Sequence, residues 1–539
     1  MAMKDIWCEY CEYSSIHGLR HVVQKDAKPW ERVTWALLLV AASLAILVLL
    51  NVSWKKYVHS PMQIVVDDPR YPLSKIDFPA ITICSINKIM YSKVNALIST
   101  FTNDTELGKK YMNSFRAMSI LRFPFYNEAV YFIRKYPTVN LPLDQITTMM
   151  LQLKPSINEM FKKCYWRGTN YNCTDLLRLQ RTEEGYCYSF NSKTAERSIN
   201  DSDITPPESK PDGSLVPLRN NAGGKVTGFE VVMNDMDKEY IPDDLRPRGY
   251  NVIVHTPDDF PDVSDSYKLY QGINKVSQLS VSVSKVSADK SLYRLSEDRR
   301  NCVMHKDHLA DQGIISQHGS SDSENNCKSR CRLKTIFQIC NCTPYFYNTN
   351  KKNVTQCGIQ HMACLRKINV LQRNTQPLKD QPGFPKWSIP VYMNCSCPQP
   401  CSFLTYTTEI RNKIREYVDT SRLSEFIGPI YLDFHFKEHF AISYIRSMKY
   451  NTQDLLVSFG GVASLFLGCS LVSLIEIMYF IYKSILVLRQ KPMDPKKDND
   501  PLQQVLFYRR YHHSCHLRKP LYRIPQPVNI KSSDNQFYY

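Results

Sequence analysis

Leu455-Leu-Val457-Ser458-Phe-Gly460-Gly461-Val-Ala-Ser-Leu465-Phe-Leu-Gly468-Cys469-Ser470-Leu-Val-Ser-Leu-Ile-Glu476-Ile-Met-Tyr-Phe-Ile481, continuing to Leu488, decides how this chain reads. The stretch is long and apolar enough to cross a bilayer, for which about 20 residues suffice. It departs from a lipid-facing helix in carrying three glycines, several serines and an ionisable Glu476. A carboxylate at bilayer depth is costly unless it faces protein or water, so it marks a pathway. Small side chains at Gly468, Cys469 and Ser470 let helices approach closely and let backbone carbonyls face a lumen. Small residues also serve plain helix packing; the reading taken forward is the lining of an ion pore.

Working outward, a second apolar run covers Val33 to Leu50 and carries neither charge nor glycine. Trp30, Trp35 and Trp54 sit near its ends as interfacial anchors. It reads as a lipid-facing first span. The chain divides into an N-terminal segment 1–30, a first span 31–54, a large middle 55–454, a second span 455–488 and a tail 489–539. Two spans put both ends on one side. Of 18 cysteines, 14 lie between Cys84 and Cys401, which reads as a disulfide framework in an oxidising compartment. Asn-x-Ser/Thr triplets at Asn103, Asn172, Asn200, Asn341, Asn353 and Asn394 fall in the same region and read as glycosylation acceptors. The middle is therefore expected outside, with both termini cytosolic and the chain a multi-pass protein of the plasma membrane.

The net charge of +17 is partly local, since the chain from Lys483 onward carries 11 Lys/Arg against 4 Asp/Glu. No basic run with interleaved aromatics appears, so no nucleic-acid partner is expected. No phosphate-binding glycine loop or nucleophile elbow is present, so no enzyme and no cofactor is expected. In the middle region, strand signals occur at Phe78–Cys84, Gly228–Met233, Asn251–His255, Leu279–Ser284 and Ile430–Phe436. The last alternates Leu432, Phe434 and Phe436 with Tyr431, Asp433 and His435, and is expected to lead straight towards the second span. Residues 88–165 read as more helical, Ser202 to Gly224 as a loop, and the tail after Arg489 as disordered.

On these residues the chain resembles the degenerin and epithelial sodium channel superfamily, most closely its insect pickpocket branch, from about Ser14 to about Arg489. Ser15-Ile-His17-Gly18 matches the family's cytosolic His-Gly pair. Phe78-Pro-Ala-Ile-Thr-Ile-Cys84 matches the strand after the first span, and Gly185-Tyr-Cys187-Tyr-Ser-Phe-Asn191 a mid-ectodomain signature. Cys327-x3-Cys331-x8-Cys340-x-Cys342 and Cys395-x-Cys397-x3-Cys401 match the thumb cysteines, and Gly468-Cys469-Ser470 the Gly-x-Ser selectivity filter.

The resemblance implies a trimer of subunits with two transmembrane helices and a disulfide-rich α+β ectodomain of palm, finger (88–165), knuckle, β-ball and thumb (within 300–401). It implies a ligand- or mechanically gated, voltage-independent, amiloride-sensitive, sodium-selective channel, assembled as a homo- or heterotrimer with sister subunits in membrane lipid. Fourteen cysteines admit very many pairings. Family order implies Cys84 with Cys187, Cys164 with Cys173, Cys302 with Cys401, Cys327 with Cys397, Cys331 with Cys395, Cys340 with Cys364, and Cys342 with Cys357. Pore and gate fall on Val457, Ser458, Gly460, Gly461, Leu465 and Glu476, the last as an acidic ring on the cytosolic side of the filter. His17 and Gly18 form a gating element, with the glycine allowing the turn of a re-entrant loop.

The chain departs from the family where Val457 occupies a position usually held by a small residue and Ser458 one often held by Asp. Of the acid-sensing carboxylates only Glu239 has a match, while Asp258, Asp259 and Asp262 are as readily solvated. Cys8, Cys11, His17 and His21 could supply four metal ligands, and so could the tail group His512, His513, Cys515 and His516; reduced thiols and a solvated tail are the expectation, with no metal. His305 and His308 lack a third ligand. The alternatives to this channel are a trimeric ATP-gated channel, which shares two spans and a disulfide-rich middle, and a non-conducting receptor or accessory subunit.

Overall fold

A computed structural model describes residues 3–24, 27–59, 62–196, 216–242, 244, 246–270, 275–304, 323–347, 354–375, 392–395, 397–414 and 430–489. Asn200, Asn353, His305, His308, most of the 202–224 loop and the tail cluster lie outside the described residues. Apart from shorter turns, the helices are α1 (Met3–Tyr13), α2 (Leu19–Val23), α3 (Pro29–His59), α4 (Tyr91–Phe101), α5 (Thr105–Ile120), α6 (Tyr126–Lys135), α7 (Ile146–Leu153), α8 (Glu324–Cys340), α9 (Met362–Ile368), α10 (Thr452–Leu467) and α11 (Leu471–Arg489). The strands are β1 (Met62–Pro72), β2 (Ala80–Ser85), β3 (Phe161–Trp166), β4 (Thr169–Tyr171), β5 (Leu177–Thr182), β6 (Gly185–Phe190), β7 (Phe229–Met233), β8 (Gly249–His255), β9 (Ser266–Tyr270), β10 (Lys275–Ala288), β11 (Phe403–Ile414), β12 (Ile430–Phe436) and β13 (Phe440–Met448). They form two units, Met62–Met448 and the two chain ends together.

The Met62–Met448 unit is built on two sheets. The larger has the order β1-β13-β10-β12-β7-β3-β4, with β11 also paired to β10. At 14 residues, β10 is long enough to pair in parallel with β12 at one end and β13 at the other. The smaller sheet has the order β5-β6-β2-β8-β9. An aromatic cluster fills the space between them: Phe78 meets Trp166, Phe434 and Phe436 edge-on, and Phe190 stacks on Phe229 with centroids 4.2 Å apart. Edge-to-face and offset contacts are the favoured aromatic geometries, worth about 1 kcal/mol each beyond burial. Gly228 has no side chain because a Cβ there would land on the carbonyl of Phe434.

A second core lies under helices α4 to α9, where Phe115, Met118, Tyr126, Met150, Ile336 and Leu365 are all buried. Seven disulfides staple the unit: Cys84–Cys187, Cys164–Cys173, Cys302–Cys401, Cys327–Cys397, Cys331–Cys395, Cys340–Cys364 and Cys342–Cys357.

Two expectations need correction, and Asp433 and His435 of β12 do not reach water, being 2% and 5% exposed. They are covered because Asp433 accepts from the amide of Val226 and pairs with His435 Nδ1 at 3.0 Å. Nor does β12 lead straight to the second span, since β13 intervenes and runs antiparallel to β1. Asp259 and Asp262, expected to be as readily solvated, are buried.

In the unit of chain ends, α3 has 31 residues and mean hydropathy 2.7, longer than the 31–54 span the sequence suggested. The second span is not one helix over 455–488 but two, α10 and α11, separated at Gly468–Ser470. Residues 1–30 are not featureless: α1 packs on α11 and α2 on α3.

Candidate ion pathway

The break between α10 and α11 follows from its residue types. Gly468 ends α10 in the left-handed region, φ 66°, where glycine meets no Cβ penalty. Ser470 then begins α11 as a cap: its hydroxyl accepts from the amide of Ser473, and the Ser473 hydroxyl accepts from the amide of Ser470. Gly-x-Ser is thus a helix stop followed at once by a helix start.

The end of α10 leaves carbonyls to be satisfied. The amides of Gly468 and Cys469 take Ser464 and Ala463, and the amide of His17 takes Leu467 at 2.9 Å. Among the described residues the carbonyls of Leu465 and Phe466 accept no backbone hydrogen bond. They lie at the negative end of the helix dipole, an electrostatic setting that favours a cation.

The His-Gly segment docks on this break. A Cβ at Gly468 would fall inside the His17 imidazole. Ser15 donates to Glu476 through its hydroxyl (2.9 Å) and its amide (3.3 Å), and its hydroxyl also meets that of Ser473 at 2.7 Å. Further along, Tyr10 lies edge-on to Phe480, and Lys483 binds both carboxylate oxygens of Glu9 at 2.7 Å. Gly18, φ 84°, makes the turn into α2 beneath Trp35, on which His21 stacks at 4.7 Å. Sequence reasoning linked Glu476 to a lumen and His17 to gating but did not foresee that one short segment touches both.

The α10 helix has two faces. Leu455, Ser458, Phe459, Val462 and Phe466 turn inward at helical spacing, and Ser458 meets Ser53 of α3 with hydroxyls 3.3 Å apart. Val457, Gly460, Gly461, Ser464 and Leu465 are exposed on the other side, and a Cβ at either of the paired glycines would meet nothing. Val457 and Leu465 are 73% and 80% exposed, so large apolar side chains stand free in the single chain. Cys469 is half-buried and carries a free thiol.

The other predicted sites fall apart from this one. Cys8 and Cys11 are free thiols on α1, while His17 and His21 point to Gly468 and Trp35. Among the described residues no three His, Cys, Asp or Glu side chains converge as a metal site. Asn103, Asn172, Asn341 and Asn394 are exposed. Glu239 accepts from the amide and hydroxyl of Ser92 at 3.0 and 2.7 Å. Asp258 pairs with Lys193 at 2.7 Å, whereas Asp262 joins Glu183 around the buried Arg332.

Composition did not reveal several buried ionic groups. Glu184 gathers Lys88, Arg122 and Asn251, at 3.4, 3.3 and 2.7 Å. Burial pushes the Lys88 ammonium down to about 8, against the pull of Glu184. Glu230 is held above the usual carboxylate range by burial, with Tyr431 donating to it.

Comparison with known proteins bears on the whole arrangement. Residues 10–480 match the model of the amiloride-sensitive sodium channel family. The chain belongs to that family. Similar proteins include sodium channel protein Nach of Drosophila ananassae, 22% identical over 89% of this chain and 87% of that protein. Pickpocket protein 19 of Drosophila melanogaster is 22% identical over 88% of this chain and 90% of its own length. Acid-sensing ion channel 4 of Homo sapiens is 24% identical over 88% and 78%. The matched residues take in the Ser15–Gly18 segment, α3, the β-rich domain with its seven disulfides, α10, and α11 as far as Phe480.

Proposed function

We propose that this chain is a sodium channel subunit that assembles as a trimer in the plasma membrane, with α10 and the Gly468–Ser470 break around a shared axis. Both termini are then cytosolic and the disulfide-rich unit is extracellular. The observation that carries the reading is the interrupted helix with free carbonyls at Leu465 and Phe466. Non-helical backbone at bilayer depth is tolerated only where protein covers it or water reaches it. Three copies would place six such carbonyls around a narrow passage, where they replace the hydration of a cation. The Val457–Gly461–Ser464 face, free of α3, would be the surface turned to the axis. Conduction is voltage-independent and amiloride-sensitive, and opening is driven by a ligand or by force. Glu476 and the docked Ser15–Gly18 segment form the cytosolic mouth.

Expression alone and with sister subunits, with recording, tests this. Val457→Cys, Gly461→Cys and Ser464→Cys should be blocked by water-soluble thiol reagents. Ser470→Cys should shift the sodium-over-potassium reversal potential, and Glu476→Gln should lower unitary current. Thiol reagents without effect, together with unchanged reversal potential and conductance, would remove the pore assignment.

A further inference from the structure

The positive charge of this chain is unevenly placed. From Ser323 to Thr375 there are nine Lys/Arg and one acid, Glu324, so this segment carries 9 − 1 = +8 of the chain's +17. Glu324 is taken by Lys328 at 2.7 Å, and Arg332 is buried against Glu183 and Asp262. With Lys351 and Lys352 outside the described residues, that leaves Arg330 and Lys334 on α8, Arg366 and Lys367 on α9, and Arg373 in the turn that follows. All five are exposed, and among the described residues none has an ion-pair partner. Cys340–Cys364 ties the end of α8 to the start of α9. The inner faces of both helices, Leu333 and Ile336 with Leu365 and Ile368, enter one core cluster. Their outer faces therefore form one basic ridge.

We infer that this ridge docks a sulfated polysaccharide chain. A like-charged ridge with no carboxylates among it repels itself unless anions cover it. Each exposed pair alone is worth at most about 1 kcal/mol, so a single small anion gains little, whereas a polymer presenting many anions gains from every contact. Arg330 and Lys334 are one helical turn apart, roughly 6 Å along the axis, which suits a linear polyanion lying along the ridge. The five side chains stand on exposed helix and turn surface, not in the enclosed cleft a small ligand requires. Guanidinium groups suit planar, two-pronged pairing to oxyanions. The choice of a glycan rests on the proposed extracellular placement of this unit, where the linear polyanions are sulfated glycans.

The test uses full-length protein in detergent on immobilised heparin. Wild type is retained at low salt, and its affinity falls roughly 100-fold between about 50 and 200 mM salt, as for a handful of charge contacts on a linear polyanion. The combined Arg330→Gln, Lys334→Gln, Arg366→Gln, Lys367→Gln, Arg373→Gln variant should lose at least about tenfold in affinity, while Arg→Lys at the three arginines retains most of it. Desulfated heparin should not bind. Equal retention of the glutamine variant, equal binding of desulfated heparin, or loss caused instead by Phe337→Ser with Val370→Ser would overturn the inference, the last marking a protein-docking face. Binding in detergent is independent of membrane orientation. An epitope placed in this unit and probed on intact cells therefore reports a failure of sidedness separately from a failure of the ridge.

Discussion

Gly468→Ala is the substitution whose consequence follows most directly from the geometry. At φ 66° an L-residue costs about 1–2 kcal/mol more than glycine. The added Cβ also lands in the His17 ring, which must swing to another rotamer at about 1 kcal/mol. If the segment withdraws, the bond from the His17 amide to Leu467, worth about 1 kcal/mol, goes too. The backbone cost stays in α10 whether or not the segment is docked, and the Leu467 bond favours docking, so the ring clash, about 1 kcal/mol, is what weakens docking of the Ser15–Gly18 segment, by roughly 5-fold. The assay is cross-linking: Ser15 and Ser473 have hydroxyls 2.7 Å apart, so Ser15→Cys with Ser473→Cys should oxidise readily once Cys8, Cys11, Cys469 and Cys515 are replaced by serine. Gly468→Ala should slow that oxidation, and His17→Ala added to it should recover the part due to the ring. Gly468→Asn, which tolerates the left-handed region but keeps a Cβ, should slow it about as much. Oxidation at the parental rate in Gly468→Ala would refute the docking of His17 on Gly468.

Other outcomes follow from the same coordinates. Arg332→Met strands the fully buried Glu183 and should cost about 3–5 kcal/mol, lowering the thermal midpoint, with Glu183→Gln in the same chain recovering most of it; a loss under about 1 kcal/mol would contradict the ionic centre. His255 is buried, donates from Nδ1 to Thr256 and accepts from Thr82, and burial pushes it from 6.5 down to about 4. The unfolded chain then binds the proton first, so stability is full above pH 6.5 and falls by about 3 kcal/mol between pH 6.5 and 4. His255→Gln should flatten that limb in a melting series against pH, and an unchanged limb would assign it elsewhere. Lys483→Glu should loosen α1 from α11, and Glu9→Lys should restore it, with a coupling of about 0.5–1 kcal/mol in a double-mutant cycle read by protection of Cys11 from thiol reagents. Additive effects would show that the pair contributes nothing.

The large features were legible because they are dictated by local pattern. Runs of apolar residues mark both candidate spans, and β-branched alternation marks the strands at Phe229–Met233, Gly249–His255 and Ile430–Phe436. What escaped depends on partners distant in sequence. Alternation in β12 separates two faces but does not reveal that Val226 covers the polar one, so that Asp433 and His435 are buried together. The helix α1 gave no signal in the first 30 residues because an 11-residue helix is marginal alone, and α1 acquires its support from Phe480 and Lys483. Glu183 and Glu184 are adjacent in sequence, yet each finds its own cationic partners from different elements, which spacing does not reveal.

The break in the second span was hidden for a more specific reason. Its inward positions, Leu455, Phe459, Val462 and Phe466, then Ser473, Ile477, Phe480 and Ser484, keep the same helical period straight through Gly468–Ser470. Periodicity therefore reads one helix over 455–488, about 51 Å long, well beyond what a bilayer needs. The conserved phase means that the interruption does not redirect the packing faces, which stay aligned with α3 before it and α1 after it. Its consequence is confined to the backbone: two carbonyls are freed, one is lent to His17, and the dipole of α10 ends there. A break placed only to relieve excess length would not need a second segment of chain to hold it open. The docking of Ser15 on Glu476 and His17 on Leu467 supplies one, so the N-terminal segment and the Gly468–Ser470 break form a single structural element contributed by opposite ends of the sequence.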